Sequence, residues 1–324
     1  MKADLRERFV TQWLIEQGFD AASLAPLGAD ASTRRYFRLH TTAGPRVVMD
    51  APDQMAECEA YLRVQAWMDQ AGVHVPAVER ADPQAGVMVI EDLGHTDYLT
   101  AFRGGERIEP LIDDALAALV RWQAATSPAA LPPYDAARLQ VELDLFPTWY
   151  VGRHLGLAPD PRWWAEWRTA CDGLITASIN QPQVWVHRDF MARNLLVSQP
   201  NPGVIDFQDA LTGPVTYDVV SLLRDAFFDF PPATERDFIE RYAAAAGEAG
   251  IQLPEPLHQA IDLMGAQRHL KVLGIFARLA YRDGKADYLT DAPRFLGYLD
   301  RELAPYPAFA GLRTLLGELP LEMG

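Results

Sequence analysis

Two short segments in the middle of the chain carry acidic and amide side chains at a spacing suited to phosphoryl transfer. Residues 187–194 read HRDFMARN and residues 204–209 read VIDFQD, each beside an apolar run typical of a β-strand. Phosphoryl transfer needs an aspartate that accepts the proton of the attacking hydroxyl, and oxygen ligands that hold magnesium on the nucleotide phosphates. Asp189 fits the first role, and Asn194 and Asp206 fit the second.

The first of these patterns is rare enough to carry weight. His-x-Asp-x-x-x-x-Asn is expected about 0.005 times by chance in a chain of this composition, before the later aspartate is required. The competing interpretation is a structural ion-pair turn formed by His187, Arg188 and Asp189. The sequence contains no P-loop, GxGxxG, HExxH or GxSxG motif and no cysteine cluster. It therefore does not support a P-loop NTPase, a Rossmann dinucleotide-binding protein, a zincin metalloprotease or an α/β-hydrolase.

The elements that must position these residues change character along the chain. The first part predicts an opening helix ending at Gly18, strands over 34–39 and 46–49, a helix over 55–71, and strands over 73–78 and 86–90. After residue 94, helical patterns cover 113–125, 139–155, 162–178, 235–249 and 257–281. We therefore predict an α+β fold with two lobes. Residues 1–93 form a small β-rich nucleotide-binding lobe, and residues 94–324 form a larger helical lobe for catalysis and substrate binding.

Composition narrows the class of partner. The chain is 49% hydrophobic and 23% charged, as expected for a globular protein, and its net charge of −15 opposes binding to nucleic-acid phosphates while favouring cationic substrates. Its two cysteines, Cys58 and Cys171, are too far apart for a CxxC pair. The N-terminus lacks a signal-peptide pattern and no run reaches membrane-spanning length. We expect a cytoplasmic protein without nucleic-acid or membrane partners, and the sequence leaves its oligomeric state open.

HRDFMARNLL and GVIDFQDALTGPVTYDVVSLL together resemble the aminoglycoside phosphotransferase and choline kinase superfamily, which has a protein-kinase-like fold. GADASTRRYFRL, VMVIEDLG and RHLKVLGIFARLAYRDGKADYL extend the resemblance over nearly the whole chain. More narrowly, the segments resemble bacterial kinases that phosphorylate the anomeric hydroxyl of N-acetylmuramate and N-acetylglucosamine in cell-wall recycling. The resemblance implies ATP, Mg²⁺ and an amino-sugar substrate. An aminoglycoside- or choline-type kinase and a nucleotide-binding pseudokinase are the alternatives.

The resemblance places nucleotide binding in the N-terminal lobe. A loop near residues 28–33 offers backbone N–H and hydroxyl groups to phosphates, and residues 90–93 offer their backbone to adenine. The implied nucleotide-binding residues are Gly28, Ser32, Thr33, Arg35, Glu91 and Leu93. The loop sequence also suits an ordinary turn, and Asp92 also suits a helix N-cap.

The lysine that kinases use to bind phosphate is missing. Kinases pair that lysine with a helix glutamate, here Glu57 or Glu59, but the strand over 46–49 has no lysine and Met49 stands near its place. Either an arginine reaches the phosphates, or magnesium and backbone donors suffice. The candidate arginines are Arg34, Arg35 and Arg38, and strand alternation lets only some of them face the nucleotide.

Sugar contacts are expected from the helical lobe, because sugars stack on aromatic rings and an acidic substituent suits arginine. The candidates are Trp149, Tyr150, Arg153 and His154, with Arg268, His269, Lys271 and Arg278 on the long helix. Aromatic residues at helical spacing also commonly form core. Asp209 either contacts magnesium or a sugar hydroxyl or caps the following turn, and the resemblance implies that Asp218 braces the catalytic loop.

Overall fold

A computed structural model describes residues 2–27, 34–52, 54–127 and 131–320, with side chains from residue 5 onward. The chain divides into two compact units, an N-terminal unit of residues 1–118 and 193–209 and a C-terminal unit of residues 119–192 and 210–324. The α-helices are α1 (Lys2–Glu16), α2 (Met55–Gln70), α3 (Tyr98–Arg103), α4 (Ile108–Ala124), α5 (Ala136–Leu143), α6 (Pro161–Ile179), α7 (Tyr217–Leu223), α8 (Pro232–Glu248), α9 (Leu257–Asp283), α10 (Ala292–Leu303) and α11 (Ala310–Gly317). The lobe boundary predicted at residue 93 stays a prediction.

The N-terminal unit is built on an antiparallel sheet. Its strands are β1 (Ala25–Pro26), β2 (Arg35–Thr41), β3 (Gly44–Asp50), β4 (Val78–Asp82) and β5 (Val87–Glu91), in the order β1-β2-β3-β5-β4. The predicted hairpin of β2 and β3 is present, with Thr41 paired to Gly44 across the turn. A second pair of strands, β7 (Leu195–Leu196) and β8 (Gly203–Val204), belongs to the same unit and follows the HRDFMARN segment.

Alternation along β2 gives the sheet two different faces. Phe37 and Leu39 are buried against Val10 and Leu14 of α1, which form the core of this unit. Tyr36 and Arg38, which alternate with them in sequence, point to the opposite face and line a cavity. The register of one strand therefore decides which arginines can reach the cavity.

The C-terminal unit is mainly helical. Its long central helix, α9, is buried along most of its length from Ala260 to Ala277. A two-stranded sheet of β6 (Gln183–Val186) and β9 (Leu211–Pro214) flanks the HRDFMARN segment in sequence. Helix α9 buries the polar residues Arg268, His269 and Lys271 together with its apolar residues, so the segment is not divided into one apolar and one polar face.

Two predicted elements differ from the structure. The helix expected over 139–155 is α5 followed by a π-helical segment, Phe146–His154. Pro147 has no N–H to continue the α-helical bonding to Leu143, so the chain widens there. The strand expected over 73–78 begins only at Val78, because Pro76 cannot donate to a strand ladder.

The described residues contain no helix that is both long and apolar enough to cross a membrane. The secondary structure of those residues is that of an α+β protein, as predicted.

Candidate active site

Two buried aspartates hold the turn that carries Asp189. Asp218, at the start of α7, accepts hydrogen bonds from the backbone N–H groups of His187 (2.6 Å) and Arg188 (2.9 Å). Asp225 accepts from the N–H of Ala192 at 2.9 Å. Both carboxylates are inaccessible to solvent. The brace expected of Asp218 is therefore present, and Asp225 adds a second one.

The conformation of the turn is fixed locally as well. The N–H of Asp189 donates to Nδ1 of the buried His187 at 3.2 Å, and the N–H of Met191 donates to the carbonyl of Asp189 at 2.9 Å. Arg188 has a φ of 77°, a left-handed conformation that is uncommon and costly outside glycine. Such backbone strain is concentrated at functional sites, where surrounding bonds maintain it.

The buried Arg268 opposes the effect of burial on both bracing aspartates. Burial raises the pKa of Asp218 to about 7, while the two backbone donors and Arg268 oppose that rise. Burial also raises the pKa of Asp225, and Arg268 again opposes it. Arg268 is 2% exposed, so its charge acts on both carboxylates through protein rather than water. Arg268 therefore supports the two aspartates that hold the turn of Asp189.

A second network holds the side chain of Arg188. Its guanidinium donates to Glu142 of α5 at 2.7 Å, and Lys271 of α9 contacts the same carboxylate at 3.1 Å. Tyr134 also donates to Glu142, and Lys271 donates to the hydroxyl of Tyr217 at 2.9 Å. Burial raises the pKa of Glu142, but Lys271 and Arg188 outweigh it and lower the pKa. Glu142 is thus an ionised anchor for the turn that carries Asp189.

The N-terminal unit contains a cavity of about 380 Å³. Its apolar lining comes from Leu27, Val47, Ile90, Leu93, Leu196 and Ile205, and its polar lining includes Arg38, Glu91, Asn194 and Asp206. Apolar walls with a few convergent polar groups are typical of a small-molecule site. The two predicted metal ligands and two predicted nucleotide contacts, Glu91 and Leu93, thus share one cavity.

The oxygen ligands in this cavity suit magnesium. Asn194 supplies an amide oxygen and Asp206 a carboxylate, and Mg²⁺ in nucleotide sites is commonly held by one or two protein oxygens plus phosphate. Asp206 has a φ of 64° and its side chain is 40% exposed. Gln208 donates to Asp206 at 2.9 Å and to Asp209 at 3.3 Å, so one amide orients both carboxylates. Their assignment as metal ligands remains a proposal.

The three arginines predicted as replacements for the missing lysine are placed differently. Arg35 pairs with the buried Asp50, which Arg6 of α1 also contacts. Arg38 lines the cavity and donates to Asp92 at 2.6 Å. Arg34 lies 3.5 Å from Asp206. Arg34 therefore has the placement expected of the phosphate-binding cation.

Electrostatics supports the choice of Arg34. Burial alone lowers the pKa of Arg34, but Tyr36, Asp206, Asp209 and Glu57 outweigh burial and raise it. Of the two helix glutamates considered from the sequence, Glu57 is the one whose charge contributes to raising the pKa of Arg34. Met49 of β3 is 1% exposed and supplies no charge.

We expect Arg34→Met to raise the KM for ATP about tenfold or more, because it removes a cation beside the proposed metal ligand. Arg34→Lys keeps a point charge and should recover part of the loss. Arg35→Met is the matched control, since its partner Asp50 lies on the α1 face of the sheet. Steady-state kinetics with varied ATP checks the result. Wild-type KM and kcat in Arg34→Met would exclude Arg34 as the phosphate-binding cation.

Gly28, Ser32 and Thr33, which were predicted to bind phosphate, lie outside the described residues.

Asp92 does not cap a helix, contrary to the N-cap interpretation of its sequence context. Asp97 caps α3 through the N–H of Thr100 at 2.6 Å, while Asp92 binds Arg38 and the N–H of Gly94. Gly94 has a φ of 106°, which requires glycine.

The predicted sugar contacts lie on the π-helical segment and on α9. Tyr150 is buried and stacked on Phe146 at 5.4 Å between ring centroids, so it forms core. His269 is buried against Glu302 at 3.0 Å and is structural. Trp149 and His154 are half-buried and Arg153 is exposed, all on the π-helical segment. Trp149, Arg153 and His154 therefore remain candidates for contact with the sugar.

Three residues in the site were missed from the sequence. Asp225 and Glu142 act through bonds to residues 33 and 46 positions away. Gln208 lies inside VIDFQD, but an amide between two acids carries no distinctive signal.

Known proteins resemble this chain over most of its length. The phosphotransferase enzyme family profile (APH) matches residues 23–257. The N-acetylmuramate/N-acetylglucosamine kinase of Pseudomonas aeruginosa is 47% identical over 302 residues, covering 92% of this chain and 89% of that protein. The protein of the same name from Neisseria meningitidis is 43% identical, covering 95% of this chain and 94% of its own.

Solved structures share the fold at low sequence identity. Choline kinase LicA from Streptococcus pneumoniae gives a TM-score of 0.65 at 13% identity, covering 91% of this chain and 99% of that structure. The ADP-bound aminoglycoside phosphotransferase APH(2'')-Ib gives 0.60 at 15% identity, covering 90% and 98%. These similarities confirm the kinase-like α+β fold. With the family match over more than half of its length, the chain belongs to the phosphotransferase enzyme family.

Proposed function

We propose that this protein transfers the γ-phosphoryl group of ATP to the anomeric hydroxyl of N-acetylmuramate or N-acetylglucosamine. The product is the sugar 1-phosphate, and the enzyme acts in the cytoplasm in peptidoglycan recycling. The observation that carries the proposal is the match, over 92–98% of this chain at 42–47% identity, to kinases named for these two sugars. The braced Asp189 and the cavity of the N-terminal unit supply the chemistry that such a reaction needs.

Asp189 is the proposed base. It accepts the proton of the sugar hydroxyl as that oxygen forms a bond to the γ-phosphorus, while the bond from the γ-phosphorus to the bridging oxygen breaks and ADP leaves. The hydrogen bonds of Asp218 and Asp225 keep the turn in place throughout, so little reorganisation is needed as charge develops.

Asn194 and Asp206 would hold magnesium. When bound, the ion neutralises the charge of the phosphate oxygens. Arg34, near Asp206, adds a positive charge from the protein itself, and Gln208 keeps the carboxylate of Asp206 oriented. Backbone groups of Glu91 and Leu93, beside the apolar cavity walls, are the proposed contacts for adenine.

The preference for C1 rests on acidity as well as on the relatives. An anomeric hydroxyl is a stronger acid than the other sugar hydroxyls, so it suits a weak base such as a carboxylate. Kinases of this fold also phosphorylate plain alcohols, and the acidity argument permits C1 without requiring it.

A substrate panel tests the proposal. ATP consumption is measured with N-acetylmuramate, N-acetylglucosamine, choline and kanamycin, with Asp189→Asn as the blank. We expect kcat/KM for the two amino sugars to exceed that for choline and kanamycin by about 100-fold or more. Preference for kanamycin or choline would favour the other branches of the superfamily, and absence of turnover with every compound would favour a regulatory pseudokinase.

A further inference from the structure

The acidic chain contains a small group of cations that no carboxylate of the described residues neutralises. Arg278 of α9 makes no salt bridge to a described residue, and its Nε is buried without a hydrogen-bond partner among them. Asp283, the acid that acts on it, is already bound by Arg282 at 2.7 and 2.8 Å. In a chain of net charge −15, an unneutralised and partly buried guanidinium requires an explanation.

The pKa of Arg278 agrees with that description. Burial, followed by the charge of Arg282, lowers the pKa, and Asp283 does not compensate. An anion beside Arg278 would therefore be favourable for both charges.

Arg278 lies on the same stripe of α9 as a residue of the catalytic surroundings. It follows Lys271 by two helical turns, which places the two side chains within about 20° of each other around the helix and about 10.5 Å apart along it. Lys271 contacts the carboxylate of Glu142, which also accepts a hydrogen bond from Arg188, the chain neighbour of the proposed base Asp189. Helical side chains lean toward the helix N-terminus, which directs Arg278 back toward Lys271.

The π-helical segment brings a second unneutralised cation to this part of α9. The guanidinium of Arg153 lies over the ring of Tyr281, 5.5 Å from its centroid, and pairs with no carboxylate among the described residues. The hydroxyl of Tyr281 is 3.1 Å from Nδ1 of His154, whose pKa is lowered by burial, so that histidine is neutral at pH 7. Arg153 and Arg278 thus supply the positive charge of this surface.

Close packing fixes the two elements against each other. A Cβ on Gly274 would lie 2.5 Å from the carbonyl carbon of Leu145, so the π-helical segment starts in direct backbone contact with α9. The contacts then run from Glu142 and Lys271 at one end to His154 and Tyr281 at the other. The packing of the π-helical segment on α9 therefore fixes the positions of Arg153 and Arg278 relative to Glu142, which anchors the turn of Asp189.

We propose that Arg278 and Arg153 bind the carboxylate of an acidic substituent on the amino sugar, whose reacting hydroxyl lies at Asp189. The proposal rests on the proposed function and deepens it, because it explains how one site distinguishes N-acetylmuramate, which carries an ether-linked carboxylic acid, from neutral N-acetylglucosamine. Arg278 and Arg153 are then specificity-determining residues, and neither takes part in phosphoryl transfer.

The two sugars provide the test, since they differ only in the acidic substituent. We expect Arg278→Met and Arg153→Met each to raise the KM for N-acetylmuramate about tenfold or more and to change the KM for N-acetylglucosamine less than about threefold. Arg278→Lys should recover part of the loss. Arg313→Met is the control, because that exposed arginine of α11 is paired with Asp300 and should leave both values unchanged.

Turnover of N-acetylglucosamine also reports that each variant is folded. If both arginine variants affect the two sugars equally, or neither variant affects N-acetylmuramate, the carboxylate site is wrong while the proposed function stands. If the wild-type protein phosphorylates neither sugar, the proposed function and this inference both fall. Should Arg278→Met fail to fold, the exposed Arg153→Met variant decides the same question.

Discussion

Asp189→Asn is expected to lower kcat by about 10³-fold or more while leaving nucleotide affinity nearly unchanged. The amide of asparagine cannot accept the hydroxyl proton. The substitution is nearly isosteric, and the bonds that shape the turn, from Asp189 N–H to His187 and from Met191 N–H to the carbonyl of residue 189, use the backbone. The loss should therefore appear in the chemical step.

A turnover assay beside a fluorescent-nucleotide titration checks this result. Asp172→Asn, which changes an exposed aspartate on α6, is the control and should keep wild-type activity. If Asp189→Asn retains more than about a tenth of wild-type kcat, Asp189 is not the base and the assignment of the HRDFMARN segment is wrong.

Asp206→Ala is expected to weaken magnesium-dependent nucleotide binding by about 100-fold or more, because it removes the one carboxylate among the two proposed ligands. The substitution also removes the carboxylate that Gln208 and Arg34 share, while the charge of Arg34 stays available to the phosphates. In the absence of magnesium the wild-type protein and the variant should therefore bind nucleotide similarly.

ADP titrations with and without magnesium measure this effect. Asp237→Ala, at an exposed position on α8, is the control and should behave as wild type. Unchanged magnesium dependence in Asp206→Ala would contradict the role of Asp206 as a metal ligand.

The motif of the candidate site could be recognised in the sequence because it is local. The eight residues from His187 to Asn194 and the later Asp206 have a spacing that few proteins reach by chance, and strand and helix patterns correctly predicted the hairpin of β2 and β3 and the long helix α9. The brace at Asp218 followed from the resemblance, and the structure gives it two backbone donors.

Other parts of the site depend on register and on distant contacts. Adjacent arginines Arg34 and Arg35 cannot be ranked from sequence, since a shift of one residue exchanges the faces of a strand. The structure places Arg35 with Asp50 and Arg34 with Asp206. The bonds of Asp225 and Glu142 cross long stretches of sequence, which no local pattern reports.

The position of the transferred phosphate tests the central proposal most directly. N-acetylglucosamine is incubated with ATP, magnesium and the enzyme, and the product is identified by phosphorus–proton coupling in NMR. We expect phosphate on C1, seen as coupling to the anomeric proton, and no reaction with the 1-O-methyl glycoside, which has no free anomeric hydroxyl. A 6-phosphate product, or turnover of the methyl glycoside, would contradict phosphorylation at C1.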